Sequence, residues 1–297
     1  MNRVDGGTPA LRVDAPGLLA TIQDLGRPGS ASLGVARSGA LDRGALRTAN
    51  RLLGNHEGAA AIEVTMGGFR ATAVRDLWFA VTGAWGALRL DGRPLDPYEA
   101  HPWPQGGLLD VDWFAHGSRA YLAIRGGLDA PRVLGSRATD LLAGIGPGAL
   151  RPGDHIALAE EVVLPIPPSV LAPWGAPVDD DVRIGLAPGP RSDWFSASAL
   201  HVLYDTVWTA SDKADRVGVR LDGPALERAR TDELPSEGMV PGALQVPPGG
   251  RPTILLADGP VTGGYPVIAV VADASLDALG QVRPGTRLRF VHARVDR

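Results

Sequence analysis

The pattern Ser-x-x-x-Asp-Arg occurs twice in this sequence and places hydroxyl and charged side chains close together. In the first copy, Ser38, Asp42 and Arg43 come at the start of an apolar helical pattern. A hydroxyl, a carboxylate and a guanidinium at a helix entrance could bind an anion or a carbonyl oxygen. The alternative is structural, with Ser38 and Asp42 starting and capping the helix and Asp42 in its first turn.

The second copy, at residues 211–216, contains Lys213, which is the only lysine of the chain. Lys213 lies between two aspartates, the second of which is Asp215, and Arg216 follows. Such alternating charges could stabilise negative charge on a carboxyl or phosphoryl group during its transfer. They could equally form a solvated charged turn. The candidate catalytic residues are Asp42, Arg43, Lys213, Asp215 and Arg216.

Two further segments carry candidate substrate-binding residues. Arg137 and Asp140 precede the glycine-rich residues 144–148, where backbone N–H groups could cradle an anion or simply form a turn. Residues 236–266 are rich in Gly and Pro, which restrict loops to particular backbone conformations, and rigid loops often carry sites. The candidate substrate-binding residues are Ser38, Arg137, Asp140, Glu237, Gln245, Thr262 and Tyr265.

Composition excludes several classes of site. The chain has no cysteine, so disulfides, thiolate nucleophiles and cysteine metal ligands are impossible. The six histidines are scattered without the spacing of metal ligands, and the sequence lacks the G-x-S-x-G, H-E-x-x-H and Walker A patterns. We therefore predict no metal site.

Charge and hydrophobicity also limit the partners. A net charge of -4 gives no basic surface for nucleic acid or an anionic membrane, so neither is an expected partner. The sequence begins without an apolar signal core, and no run approaches the roughly 20 apolar residues that a membrane helix needs. We expect a cytoplasmic protein.

The periodicity of apolar residues predicts a mainly β protein. Residues 41–53 carry the clearest helical pattern, which ends before Gly54, and a second short helix is predicted at residues 193–203. Between residues 60 and 158, period-two runs alternate with turn residues and predict the strands of a barrel or sandwich. The chain's 39 Gly and 26 Pro also favour short strands and turns over long helices.

Composition and repeated motifs predict two lobes. The Pro-rich and almost uncharged residues 163–177 are the predicted linker between an N-terminal lobe, residues 1–162, and a C-terminal lobe, residues 178–297. The second lobe repeats the Ser-x-x-x-Asp-Arg pattern and then an Arg-Pro-Gly motif, in the same order as the first. This shared order predicts an internal duplication of one β-rich unit.

Seven short motifs in this order resemble the biotin-dependent carboxyltransferase family, also called the allophanate hydrolase subunit 2 or KipA family. They are QDLGR, SGALDR, EVTMGG, RGGLD, LGSRATD, SEGMVPGALQVPP and TGGYP, and they run through nearly the whole chain. No single motif is decisive, but their joint order is specific. The chain departs from the family pattern after Asp258, where Gly-Pro-Val stands in place of the Arg-Gln that relatives often carry.

The resemblance implies two lobes of cyclophilin-like barrel architecture and a role in a multi-subunit enzyme. The family includes the C subunit of 5-oxoprolinase, whose complex uses ATP to open a small cyclic amide, 5-oxo-L-proline, to L-glutamate. The implied partners are an allophanate hydrolase subunit 1-like protein, which is the B subunit of 5-oxoprolinase, and an A subunit of the LamB/YcsF type. The active site is then expected to be completed by one of these partners.

Two alternatives stay open within the same resemblance. One is a biotin-dependent carboxyltransferase that acts on urea or a related amide, with biotin as its cofactor. The other is a KipA-like regulatory protein that binds another protein and catalyses nothing. Both enzymatic alternatives must stabilise negative charge on an amide oxygen. The residues expected to serve substrate oxygens are Arg43, Arg137, Lys213 and Arg216. Those expected to orient amide N–H groups are Asp42, Asp215 and Glu237.

Overall fold

The structure is a computed structural model that describes residues 8–169 and 175–293. The chain divides into two units, of which the first comprises Met1–Arg27 with Ser38–Pro177 and the second Pro28–Arg37 with Val178–Arg297. The predicted linker, residues 163–177, lies partly outside the described residues, because residues 170–174 are not among them.

The first unit is built on a 10-stranded, barrel-like sheet and one α-helix. Its strands are β1 (Pro9–Pro16), β2 (Leu19–Gln23), β3 (Ala61–Thr65), β4 (Phe69–Ala73), β5 (Leu77–Leu90), β6 (Arg93–Leu95), β7 (His101–Trp103), β8 (Leu108–Ile124), β9 (Leu128–Asp129) and β10 (His155–Leu158). The helix is α1 (Arg43–Leu52). The strand order is β2-β3-β8-β4-β1-β10-β9, and β5 pairs with β6, β7 and β8.

Two long strands replace four of the period-two runs that the sequence between residues 60 and 158 predicts as separate strands. The runs LWFAVTG and ALRL both belong to β5, and the runs LLDVDWF and RAYLAI both belong to β8. The two strands pair antiparallel along most of their length, with register shifts between Gly83 and Leu88. A bulge lets a strand bend without ending, so the glycines that suggested turns lie within bulged strands instead.

Strands β3, β5 and β8 are buried on both faces, which fixes the position of α1. One face lines the core of the sheet with large side chains, among them Ile62, Phe79 and Leu122. The other face carries small side chains that pack against α1: Ala61, Ala80 and Ala123. Successive strand residues point to opposite faces, so large and small apolar residues alternate along each strand. The small residues let the helix lie close to the sheet.

Helix α1 begins two residues later than the sequence predicts. The Leu41 N–H donates to the buried Glu63 Oε2 at 3.2 Å, and Asp42 is the N-cap, whose Oδ1 accepts from the Ala45 N–H at 2.8 Å. Leu41 therefore lies before the helix, and Asp42 caps it instead of lying in its first turn. The predicted stop is confirmed, because Gly54 follows the helix with φ 68°.

The second unit contains a closed barrel and a separate two-stranded ribbon. Its strands are β11 (Val182–Pro188), β12 (Val207–Ala210), β13 (Gly218–Asp222), β14 (Glu237–Gly238), β15 (Ala243–Gln245), β16 (Thr253–Leu255), β17 (Thr262–Gly263), β18 (Val267–Val271) and β19 (Arg287–His292). The barrel order is β11-β18-β15-β16-β13-β12-β19, closed by parallel pairing of β11 with β19, and β14 pairs with β17. The α-helices are α2 (Ala197–Asp205) and α3 (Asp273–Leu279), and short 3₁₀ helices span Ser30–Leu33 and Ser192–Trp194.

The helix predicted at residues 193–203 is divided in two. The 3₁₀ helix Ser192–Trp194 ends at Phe195, whose backbone is extended. Ser196 then caps α2 by accepting from the Ala199 N–H at 3.1 Å. A serine between two apolar segments is a helix-start signal, so the break at Ser196 could be read from the sequence.

The repeated Arg-Pro-Gly motifs form the same turn in each unit. In the first, the Asp154 N–H donates to the Arg151 carbonyl at 3.1 Å, and the Asp154 carboxylate accepts from the Arg151 N–H at 2.8 Å. In the second, Thr286 and Arg283 make the equivalent bonds at 3.0 and 3.1 Å. A strand follows each turn, β10 in one unit and β19 in the other. This pair of motifs supports the predicted duplication.

The two Ser-x-x-x-Asp-Arg motifs differ in structure. The first leads into α1, whereas residues 211–216 form the loop between β12 and β13. They give the predicted duplication no structural support. The predicted fold class is nevertheless confirmed, since the chain is mainly β with short helices and two barrel-like sheets. Among the described residues, no helix is long and apolar enough to cross a membrane.

Replacement of Gly67 tests a close backbone approach that only glycine permits. Gly67 has φ 94°, and an added Cβ would lie 2.2 Å from the Asp112 carbonyl oxygen. Gly92 is a matched control, because its φ is 79° but an added Cβ meets nothing within 4 Å. We expect Gly92→Ala to lower the free energy of unfolding by about 1 kcal/mol through backbone strain alone. Gly67→Ala should cost about 1–3 kcal/mol more.

Urea unfolding followed by circular dichroism measures both glycine variants. Equal midpoints for Gly67→Ala and Gly92→Ala would show that the Asp112 backbone moves away easily. The close approach of Asp112 would then not be what requires glycine at position 67.

Candidate functional site

A cavity of about 820 Å³ opens on the outer face of the barrel in the second unit. Strands β15, β16 and β13 are neighbours, and their side chains alternate between the barrel interior and the outside. Val219 is buried and does not line the cavity, whereas the exposed Arg220 and Asp222 of the same strand do, and the buried Leu221 also borders it. The volume falls in the range typical of small-molecule sites.

Four loops line the cavity, and each contributes polar or rigid residues. The loop before β13 contributes Lys213 and Asp215, and the loop between β15 and β16 contributes Arg251 with two prolines. Pro260 and Tyr265 line the remaining side. Of the residues predicted from sequence, the structure therefore brings four into one cavity: Lys213, Asp215, Gln245 and Tyr265.

Lys213 and Asp215 differ in the contacts that their charged groups make. Lys213 is exposed, and no carboxylate of the described residues lies within 4 Å of its ammonium group. The Asp215 Oδ1 accepts from the Val217 and Gly218 N–H groups at 2.8 and 3.0 Å, so this carboxylate shapes its own loop. The position of Lys213 is compatible with charge stabilisation, whereas the contacts of Asp215 are those of a charged turn, so both interpretations stay open.

Arg216 does not line the cavity. Its side chain is 3% exposed and makes two hydrogen bonds to the fully buried Asp258, Nε to Oδ2 at 2.9 Å and Nη2 to Oδ1 at 3.0 Å. A bidentate pair fixes both side chains and joins the loop before β13 to the loop after β16. The predicted catalytic role stays a prediction, and the geometry favours a positioning role.

Glu237 and Thr262 belong to the β14–β17 ribbon and do not line the cavity. Glu237 accepts two hydrogen bonds from Arg191, one of them from Nε at 3.1 Å, and Thr262 pairs with Gly238 across the ribbon. The hydrogen bond from Arg191 lowers the pKa of Glu237 below its ordinary value, with the positive charge of Arg191 adding to the effect. This carboxylate therefore remains ionised at neutral pH and anchors the ribbon.

The predicted residues at the start of α1 make structural contacts in the first unit. The Ser38 hydroxyl donates to the Thr139 carbonyl at 2.9 Å, which links it to the segment that carries Arg137 and Asp140. Asp42 caps the helix, and its own N–H donates to the Tyr121 hydroxyl at 2.8 Å. The contacts of Ser38 and Asp42 thus favour the structural alternative, while Arg43 is the first helical residue.

Arg137 and Asp140 are held by the surrounding loops. Arg137 pairs with Asp129 and Glu161, each at 3.1 Å. The Asp140 Oδ1 accepts from the Ala143 N–H at 2.9 Å, while its buried Oδ2 has no hydrogen-bond partner among the described residues. The predicted binding role of both residues stays a prediction.

Four side chains that the sequence did not single out make long-range contacts in the first unit: the buried Glu63, Tyr121 and Arg119, and the half-buried Asp24. Glu63 accepts from the Tyr121 hydroxyl at 2.7 Å, and Arg119 Nε lies 3.7 Å from the same carboxylate. Burial raises the pKa of Tyr121 well above its ordinary value, and the negative charge of Glu63 raises it further. Asp24 accepts from the Ser136 hydroxyl at 2.6 Å and from the Arg137 N–H at 2.7 Å. No short-range pattern marks these long-range contacts.

The cavity also contains residues that sequence reasoning missed. Arg220 and Thr253 lie on its floor, and Asp222 forms an exposed pair with Arg251 at 3.3 Å. The alternation in Gly-Val-Arg-Leu-Asp was the available signal, because it puts Arg220 and Asp222 on the face opposite the apolar residues. Within the described ranges, no group of three or more His, Asp or Glu residues is placed to hold a metal ion.

Comparison with known proteins identifies the family. The family model described as carboxyltransferase domain, subdomain A and B, matches residues 33–292. The chain belongs to this family. The resemblance found from the motifs is therefore confirmed, and it extends over almost all of the chain.

Two curated relatives match over nearly their whole length, and each is named as the C subunit of 5-oxoprolinase. The chain is 36% identical over 291 residues to the Escherichia coli strain K12 protein, covering 96% of this chain and 92% of that protein. It is 39% identical over 274 residues to the Haemophilus influenzae protein, covering 91% and 87%. The similarity is thus to a whole protein in each case.

The matches to solved structures cover nearly all of this chain, but they cover a smaller share of the solved chains. The crystal structure of TTHA0988 superposes with a TM-score of 0.87 at 38% identity, covering 97% of this chain and 56% of that chain. The crystal structure of the Kluyveromyces lactis urea amidolyase gives a TM-score of 0.87 at 32% identity, covering 97% and 19%. The chain therefore corresponds to part of these longer proteins.

Replacement of Asp258 tests whether the Arg216–Asp258 pair supports the cavity. Asp258→Asn removes the carboxylate charge that faces the buried Arg216 guanidinium, so we expect the free energy of unfolding to fall by about 3–5 kcal/mol. Asp222→Asn is the control, because its pair with Arg251 is exposed and should contribute only about 0–1 kcal/mol. Urea denaturation followed by tryptophan fluorescence measures both, and equal losses would contradict the assigned difference.

The carboxyl titration of Glu237 tests its pairing with Arg191. Arg191→Gln removes the main cause of the lowered pKa, so the pKa of Glu237 should rise towards its ordinary value. The stabilisation from a lowered pKa is present above the ordinary pKa and is lost as the pH falls through the folded-state pKa. The variant should therefore lose stability less steeply with acid.

Carbon-13 NMR of the labelled carboxyl groups reads the pKa of Glu237 directly. Arg230→Gln serves as the control, because Arg230 pairs with Asp193 and not with Glu237. An unchanged Glu237 titration in Arg191→Gln would show that the pair does not persist in solution.

Proposed function

We propose that this chain is the C subunit of a 5-oxoprolinase, which opens 5-oxo-L-proline to L-glutamate at the expense of ATP. In this proposal it works in the cytoplasm with two partners, a B subunit that resembles allophanate hydrolase subunit 1 and an A subunit of the LamB/YcsF type. The chain alone supplies part of the active site and is inactive without its partners.

The observation that carries the proposal is the reciprocal coverage of the two relatives named as the C subunit of 5-oxoprolinase. The matches include 91–96% of this chain and 87–92% of those proteins, so the similarity extends over most of each sequence. Family membership alone would support only a carboxyltransferase-type domain. The high coverage of relatives that are themselves named as the C subunit of 5-oxoprolinase therefore favours this function over the other activities found in the family.

The cavity in the second unit supplies groups that suit a small polar amide. Lys213 presents an ammonium group without a carboxylate partner among the described residues, and such a charge stabilises an amide oxygen as it becomes negative. Tyr265, at the rim, offers a phenol that can donate or accept a hydrogen bond. A small cyclic amide would fill only part of the 820 Å³, which leaves room for a second reacting group.

ATP is assigned to the assembled complex and not to this chain. The cavity carries Lys213, Arg220 and Arg251, but three aspartates at the same site offset their charge. A triphosphate with its magnesium ion needs an excess of donors and oxygen ligands for the ion. The cavity has no excess of positive charge, and among the described residues no group of three or more His, Asp or Glu is placed to hold the ion.

A second candidate function is carboxyl transfer to urea or a related amide, with biotin as the carboxyl carrier. The family model and the match to urea amidolyase favour it. In that case the same cavity would bind the planar amide acceptor, and the carboxyl group would arrive on biotin carried by another domain or protein. The urea amidolyase match covers only 19% of that chain, so any such activity needs the remaining components.

Reconstitution with candidate A and B subunits tests the proposed function. We expect ATP-dependent release of glutamate from 5-oxo-L-proline only when all three chains are present. Lys213→Ala should lower kcat by about 100-fold or more if Lys213 stabilises a developing oxyanion. Arg183→Ala is the control, because Arg183 is exposed on β11 of the same barrel and does not line the cavity.

Three results would change these conclusions. No glutamate from any combination, together with carboxybiotin-dependent carboxylation of urea, would replace the first candidate by the second. Full activity in Lys213→Ala would show that residues 211–216 form a solvated charged turn. Equal losses in Lys213→Ala and Arg183→Ala would assign the effect to a general loss of barrel charge.

A further inference from the structure

A row of three polar side chains crosses three neighbouring strands in the lining of the cavity. The register pairs Arg220 of β13 with Thr253 of β16, and pairs Thr253 in turn with Gln245 of β15. Residues that face each other across antiparallel strands point to the same side of a sheet. Arg220 and Gln245 are long enough to reach one small ligand that lies over Thr253.

Gln245 is a nearly buried amide with unused hydrogen-bonding capacity. It is 7% exposed and lines the cavity, and its Nε2 donates to the Met239 sulfur at 3.2 Å. Among the described residues this thioether, a weak acceptor, is the only hydrogen-bond partner of the Gln245 side chain. An amide that is shielded from water without strong partners is costly, unless a ligand in the cavity completes its hydrogen bonds.

Gly263 holds the Gln245 amide in place. A Cβ added to Gly263 would lie 2.6 Å from the Gln245 Nε2, so any larger residue would displace the amide. Gly263 lies in the β14–β17 ribbon, and Met239 directly follows β14. The ribbon thus borders the end of Gln245 on two sides, and the same side chain lines the cavity.

Arg220 provides a positive charge beside this amide. Its side chain is exposed to the cavity, and no carboxylate of the described residues lies within 4 Å of its guanidinium. The neighbouring Asp222 is instead paired with Arg251. An unpaired guanidinium next to an amide on a cavity floor matches a ligand that has both an amide and a carboxylate.

The geometry of amides narrows the ligand further. In a lactam the ring holds the amide cis, so its N–H and C=O point to the same side, whereas in a trans peptide they point to opposite sides. A primary carboxamide such as that of Gln245 can pair with a cis amide through two parallel hydrogen bonds, donating from Nε2 and accepting at Oε1. A trans peptide cannot form both bonds.

We propose that Gln245 recognises the cis amide of a lactam, and that Arg220 binds a carboxylate on the same ligand. This inference rests on the proposed function and deepens it, because 5-oxo-L-proline carries both groups. Arg220 then distinguishes it from urea, which offers a similar N–C=O edge but no carboxylate. Neither role requires the chain to perform the chemical step alone.

Isothermal titration calorimetry on the full chain tests the proposal with three probes. 5-Oxo-L-proline has both groups, 2-pyrrolidinone has the lactam without the carboxylate, and L-proline has the carboxylate without the lactam. We expect 5-oxo-L-proline to bind at least about tenfold more tightly than either of the others, since each lost group removes a hydrogen-bonded or ionic contact.

Variants assign each contact. Arg220→Gln should weaken 5-oxo-L-proline binding by about tenfold or more and leave 2-pyrrolidinone unchanged. Gln245→Leu should weaken both lactams and leave L-proline unchanged, and Gln245→Glu should do the same because a carboxylate cannot donate the second bond. Arg183→Gln, an exposed arginine of the same barrel outside the cavity, should bind every probe as the wild type does. Thermal unfolding confirms that each variant is folded.

The inference and the proposed function can fail separately. Absence of 5-oxo-L-proline binding, equal affinity for the three probes, or wild-type binding by the folded Gln245 and Arg220 variants would overturn the inference. Lactam binding in the expected pattern with no turnover by the complex would overturn the proposed function and leave the inference standing. If a complex with the Gln245→Leu chain keeps the wild-type kcat/KM, the proposed function stands and the inference about Gln245 is overturned.

Discussion

The buried ion pair between Arg216 and Asp258 is the interaction on which the cavity of the second unit depends. It joins residues that are 42 positions apart and connects two loops that both contribute residues to the cavity lining. The Asp258 N–H also donates to the Arg216 carbonyl at 3.1 Å, so backbone and side chains tie the same two loops. Because a buried carboxylate and guanidinium must remain together, the rim has little freedom to spread.

Much of the fold follows from local pattern in the sequence. The alternation of apolar residues predicts the strands, and Gly54 marks the end of α1. The predicted boundaries that are wrong are those set by distant partners. Leu41 fits the apolar stripe of α1, but its N–H bonds to Glu63 of a neighbouring strand, which keeps it outside the helix. The long strands β5 and β8 are divided in the prediction because glycines in bulges look like turn residues.

The sequence predicts where the candidate site lies, but it does not predict which of the nearby charged residues line it. Charged residues in the loop before β13 and rigid residues near Tyr265 are visible signals, and the structure brings both to one cavity. The sequence does not separate Lys213, which faces that cavity, from Arg216, which is buried three residues later. That distinction depends on Asp258, whose proximity is a property of the folded barrel. Strand alternation alone predicts that Arg220 lies on the polar face of β13. The more closely spaced charges of residues 211–216 are nevertheless the stronger signal in the sequence.

Residues 236–266 show how one composition can serve two physical purposes. Gly and Pro in this stretch predict a fixed backbone conformation, and Gly242 and Gly250 have the positive φ that supports this view. Gly263 has no such φ and is constrained by space instead, because a side chain there would collide with the Gln245 amide. The space that a side chain at Gly263 would need is occupied by the Gln245 amide. The Gln245 amide is thus packed against the β14–β17 ribbon at a position where its side chain also lines the cavity.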